Sequence, residues 1–213
     1  NSVVARAVTQ TTNQGNSSTT IRDQSAIDGL VKIRTNGGAS DVRLLDEATI
    51  GRFAGSGYAI TRNVTYTERQ SGDLLADVYV PRTNGPHAAV LMIHGGGWRA
   101  GSKSAMTARS KTLGDHGYVV MNINYRLAPK HRMPAMIEDT KSAVAWLREN
   151  AAEFGVDPDR IGVFGYSAGA HLALMLGVTD GSEGLEGPDA NGTSTRVQAV
   201  VAGAPGTDFR NLD

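Results

Sequence analysis

Cysteine is absent from the 213 residues, which excludes disulfide scaffolds, thiolate-ligated zinc, iron–sulfur clusters and thiol nucleophiles. Net charge is also missing. The 21 basic side chains balance 21 acidic ones, which argues against a strongly basic nucleic-acid binder. No apolar run approaches the roughly 20 residues that cross a bilayer, so no integral membrane segment is expected. Aromatics are sparse at 6%, yet 40% of the residues are hydrophobic, too many for a disordered chain and enough for one sizeable core at this length.

The first twenty residues, NSVVARAVTQTTNQGNSSTT, are polar and show no sustained periodicity, so residues 1–20 read as a flexible N-terminal segment. The start lacks Met, which suggests a processed product or a piece of a longer protein, and the polar opening leans weakly toward a secreted or periplasmic one. Residues 21–57 carry scattered apolar positions (Ile27, Leu30, Val31, Leu44, Leu45, Ile50, Phe53) between NGG and GSG turns and form an extension of no assigned role. From Tyr58 onward the pattern sharpens into a domain over 58–213. Runs 60–69 and 74–81 predict a hairpin across Gln70–Asp73, and the apolar run 88–94 predicts a strand buried on both faces. A short helix is expected over 102–116, strands over 118–125, 160–165 and 197–204, and helices over 134–154 and 168–178. Strands alternating with helices after an initial hairpin make a three-layer α/β domain whose sheet is mostly parallel.

Two segments carry chemistry. Gly165-Tyr166-Ser167-Ala168-Gly169 lies between a strand run and a helix run, the context of a G-x-S-x-G nucleophile elbow. The glycines permit a tight turn that projects the Ser167 hydroxyl, and the following helix offers free N–H groups to a developing oxyanion. An ordinary Gly/Ser turn would give the same string. The second segment, His94-Gly95-Gly96-Gly97-Trp98, follows an apolar strand, and its glycines let backbone N–H groups approach a substrate oxygen unobstructed. A plain flexible glycine loop is the alternative there. With the elbow, it makes Gly95, Gly96 and Ala168 the candidate oxyanion donors.

These segments resemble the α/β-hydrolase superfamily, in its hormone-sensitive-lipase-like and BD-FAE-like carboxylesterase branch. The resemblance rests on HGGGWRAGSK at 94–103, NYRLAPKHRMPAMIEDTKSAVAWL at 124–147 and DPDRIGVFGYSAGAHLAL at 157–174, and it covers about 58–212. It implies Ser167 as nucleophile, an oxyanion hole of Gly95, Gly96 and Ala168, and Trp98 and Tyr166 at the substrate. It further implies a short-chain acyl or acetyl ester as the small-molecule partner, possibly an acylated sugar, with no cofactor, no metal and no nucleic acid. Formamidase and peptidase activities are same-fold alternatives, and a non-catalytic binding module is the alternative of another class.

Blander roles are expected elsewhere. His94 reads as a loop organiser, and Tyr125–Pro129 with Asp139 read as structure beneath the site. Asp157 and Asp159 read as turn and cap residues, His171 as packing, and His87, His116 and His131 as surface residues. A serine hydrolase also needs a base and an acid, in the chain order Ser, Asp or Glu, His. Only His171 follows Ser167, and Asp208 falls after the wrong strand. The expectation is therefore a hydrolase lacking its last strands and helices, which folds poorly and turns over little as an isolated 213-residue chain.

Overall fold

The computed structural model describes residues 8–13, 16–21, 57–187 and 191–208. The chain divides into two units, Asn1–Ser56 and Gly57–Asp213. In the first, β1 (Val8–Asn13) and β2 (Asn16–Ile21) pair antiparallel, with Val8 opposite Ile21 and Asn13 opposite Asn16. Residues 8–13 and 16–20 of the stretch expected to be flexible thus lie in a hairpin, while residues 1–7, 14 and 15 lie outside the described residues. Threonine and valine suit a pleated strand, but a search for apolar alternation passes over strands this polar. Apart from Ile21, the 21–57 extension up to Ser56 lies outside the described residues.

In the second unit, six strands form one sheet in the order β3-β4-β6-β5-β7-β8. They are β3 (Tyr58–Thr67), β4 (Leu74–Pro81), β5 (His87–Ile93), β6 (Val119–Ile123), β7 (Val156–Tyr166) and β8 (Ala199–Gly203). The β3–β4 and β4–β6 pairs are antiparallel, and the other three are parallel. Helices α1 (Thr107–Asp115), α2 (Ala135–Glu149), α3 (Ala151–Phe154) and α4 (Ala168–Val178) connect them, with a 3-10 turn at Lys103–Met106 before α1.

Alternation along the central strands sorts their side chains into two layers. Leu91, Ile93, Met121 and Ile123 join the α2 and α4 residues Ile137, Val144, Leu147, Leu172 and Leu176 in the larger core. Met92, Val120 and Tyr79 face the other way, onto Met106 and Leu113. Every residue of β6 is buried, so burial of each Val or Ile there contributes about 1.5–3 kcal/mol.

Two boundaries differ from expectation. The single helix expected over 134–154 is broken at Asn150, which caps α2 before the short α3. Strand β7 begins at Val156, ahead of the expected 160. Its partner to His87 is Val156 and its partner to Ala89 is Ile161, so residues 157–160 bulge from the ladder. The expected turn chemistry survives inside that bulge, where Asp159 N donates to Asp157 Oδ1 at 3.1 Å and Arg160 Nε to Asp157 Oδ2 at 2.7 Å.

Candidate active site

Strand β7 ends at Tyr166 and α4 begins at Ala168, leaving Ser167 alone at the corner. Its backbone sits at φ 53°, ψ −119°, a region that a residue with a Cβ enters at a cost of about 1–3 kcal/mol. Local bonds hold the corner: Ser167 N donates to Gly203 O of β8 at 2.8 Å, and Ala170 N and His171 N donate to Ser167 O at 2.9 and 3.1 Å. The flanking glycines are demanded by close approach. A Cβ on Gly165 would run into the Gly169 carbonyl, and one on Gly169 into the carbonyls of Ile93 and His94. Strand, helix and the end of β5 therefore meet at backbone contact, which the sequence achieves only with Gly-x-Ser-x-Gly.

The glycine loop after β5 abuts this corner. A Cβ on Gly95 would lie 2.8 Å from Tyr166 O and 3.2 Å from Ser167 Cβ. Gly96 turns the loop at φ +123°, and its carbonyl accepts from Arg99 N at 3.1 Å and Ala100 N at 3.0 Å. Trp98 follows at φ 58°, half-buried, with its ring edge-on to His171 at 5.4 Å between centroids. The structure thus brings Gly95, Trp98, Tyr166, Ser167 and Ala168 together at one end of the parallel strands. His171, expected to pack, does so against Trp98, and burial lowers its pKa.

His94 lies beneath the loop, buried, with Nδ1 2.7 Å from Gly95 O. Its ring stacks on Tyr125 at 4.3 Å, and the Tyr125 hydroxyl donates to His94 O at 2.9 Å. Burial pushes the His94 pKa down and the Tyr125 phenol up, so both stay neutral near pH 7. Asp139, fully buried, accepts from Arg126 N at 2.8 Å and Arg126 Nε at 2.9 Å, tying the 125–134 segment to α2. Ala128 N in turn donates to Trp98 O at 2.8 Å. These contacts brace the glycine loop and the 125–134 segment from beneath.

One support was missed. The far end of the glycine loop is anchored by Lys103, whose Nζ donates to Asp77 Oδ1 at 2.6 Å and Asn63 Oδ1 at 2.9 Å. Its backbone N donates to Asn124 Oδ1 at 2.8 Å, and its backbone O accepts from Asn122 Nδ2 at 2.7 Å. The available signal was Asp77, a carboxylate in the middle of the otherwise apolar strand LLADVYVP.

Comparison with known proteins adds that a family model described as BD-FAE matches residues 76–213. The chain belongs to the BD-FAE family. Among curated relatives, Esterase LipC of Mycobacterium tuberculosis is 38% identical over 117 residues, which is 54% of this chain and 29% of LipC. Arylacetamide deacetylase of Oryctolagus cuniculus is 42% identical over 121 residues, 54% of this chain and 30% of the relative. Among solved structures, apo Thermogutta terrifontis esterase 2 is 32% identical with a TM-score of 0.58, covering 67% of this chain and 54% of that one. A bifunctional GH43-CE protein of Bacteroides eggerthii is 32% identical with a TM-score of 0.64, covering 70% and 21% respectively. This BD-FAE chain spans about a third of the length of the curated relatives it matches.

Proposed function

We propose that this BD-FAE chain belongs to a serine carboxylesterase and carries its nucleophile and oxyanion donors. Ser167 Oγ attacks the acyl carbon of a small ester, and the carbonyl oxygen becomes an oxyanion. The N–H groups of Gly95, Gly96 and Ala168 hold that oxyanion, with Ala168 contributing a helix-terminal N–H that has no intrahelical acceptor. Collapse expels the alcohol with a proton and leaves an acyl-enzyme on Ser167, which water then hydrolyses. Trp98 and Tyr166 border the acyl or alcohol group, and short acyl or acetyl esters of small alcohols or sugars are the proposed substrates.

The observation that carries this reading is the Ser167 corner itself: φ 53° in a non-glycine residue, wedged against Gly95. Backbone strain of that kind is retained where a side chain must be aimed. The esterase names of the relatives and structural neighbours support the reaction class. A base is still required to take the Ser167 proton, and the only histidine after Ser167 in this chain packs its ring on Trp98.

The test uses the protein expressed from its native gene. A fluorophosphonate probe should label Ser167, and a short 4-nitrophenyl ester should be turned over by the parent but not by Ser167→Ala. Folded protein that neither takes the probe nor cleaves esters of any chain length would overturn the proposal in favour of a binding module.

A further inference from the structure

Between His94 and Pro134 the chain carries seven basic residues and a single acidic one, Asp115, although the whole sequence is balanced. Ion pairing accounts for two of the seven: Lys103 meets Asp77, and Arg126 meets Glu138 and Asp139. Arg99, Arg109, Lys111, Lys130 and Arg132 are exposed and pair with no carboxylate among the described residues.

One of the five lies against the residue that precedes Ser167, and three stand on the glycine loop or on the segment hydrogen-bonded to it. The Arg109 guanidinium, on α1, lies 5.7 Å over the ring of Tyr166, the residue that precedes Ser167 and is 48% exposed. Arg99 follows Trp98 directly in the glycine loop, and its own N–H donates to Gly96 O at 3.1 Å. Lys130 and Arg132 stand on the segment pinned to the same loop through Ala128 N and Trp98 O, 2.8 Å apart. A guanidinium with no carboxylate partner, on the residue next to the serine corner, attracts an anion. A guanidinium resting on an aromatic face still presents its N–H edge, the geometry that grips a carboxylate or sulfate through two parallel hydrogen bonds.

We propose that the substrate of this site is an anionic ester, bearing a carboxylate or another oxyanion on its acyl or alcohol part. Arg109 is its principal binder, with Arg99, Lys130 and Arg132 supplying the attracting field. The inference rests on the esterase reading and names the substrate class for it.

The native-gene protein is assayed on 4-nitrophenyl hydrogen adipate and on its methyl ester, a pair that differs by one charge, with the rate of Ser167→Ala subtracted. A 4-nitrophenyl ester ending in sulfonate separates a carboxylate-specific site from one that takes any oxyanion. The anionic ester should show a kcat/KM about fivefold or more above the neutral one, the effect shrinking as salt rises from about 20 to about 500 mM. Arg109→Gln should collapse that ratio. Lys111→Gln, which removes the same charge from the same helix, should leave it within about twofold. Equal kcat/KM for the two adipates, or a preference that survives Arg109→Gln, overturns this inference while leaving the esterase intact. Absence of Ser167-dependent turnover on both esters overturns the esterase reading, and this inference with it.

Discussion

Replacing Gly95 with alanine tests the contact between the glycine loop and the serine corner. Gly95 does not have a positive φ, so alanine is not excluded by its backbone. The obstacle is spatial: the new Cβ would sit 2.8 Å from Tyr166 O and 3.2 Å from Ser167 Cβ, where ordinary contact begins near 3.4 Å. Relieving the first clash moves the loop about 0.6 Å away from the corner, and both obstacles are backbone or near-backbone atoms that cannot swing aside. Overpacking of this kind costs about 1–3 kcal/mol of stability. The cost to catalysis is larger in proportion, because the displaced N–H groups are those proposed to meet the oxyanion, and losing one such donor lowers kcat about 100-fold or more. The contrast is Gly97→Ala, where φ is +59° and nothing lies within 4 Å. There the penalty is left-handed backbone strain of about 1–2 kcal/mol without a clash at the corner. Steady-state ester kinetics and thermal unfolding of both variants decide the matter. A Gly95→Ala enzyme with kcat within threefold of the parent would refute the reasoning.

Three further outcomes are expected. Asp139→Asn removes the buried carboxylate that accepts from Arg126, which keeps Glu138 as a partner, and should lower stability by about 1–3 kcal/mol in urea unfolding. Leu172→Ala, at a fully buried α4 position, should cost about 2–5 kcal/mol by the same measurement, against near zero for a substitution at the exposed Lys111. Stability should also fall on acidification. Burial lowers the His94 pKa below 6.5, so the unfolded chain takes up a proton at a pH where the folded chain refuses it. The stabilisation is complete above about 6.5 and is lost as pH drops from there toward the folded-state value, with His171 acting in the same direction. Unfolding midpoints measured between pH 8 and pH 5 check the sign, and a midpoint that is flat or rises on acidification contradicts the buried, neutral His94.

Legibility varied along the chain for physical reasons. The apolar strands and α4 were visible because burial on both faces writes continuous hydrophobic runs, as in HAAVLMI and AGAHLALMLGV. The β1–β2 hairpin was invisible because polar strands carry no burial period. Lys103 lies within HGGGWRAGSK, but its partners Asp77, Asn63, Asn122 and Asn124 come from other parts of the chain and no spacing announces them. Arg109 is silent in the sequence for the same reason: only the packing of α1 puts it over Tyr166.

Local chemistry therefore determined what could be read from sequence alone. Glycines at fixed offsets around a serine specify a turn that other residues cannot make, and a hydrophobic period specifies which faces are buried. Folding decided what those motifs meet. It set Gly95 against the Ser167 corner, Trp98 against His171, and Arg109 over Tyr166, because each of these pairs residues from separate segments of the chain. Such long-range pairings depend on sheet order and register, and only the tertiary structure fixes those.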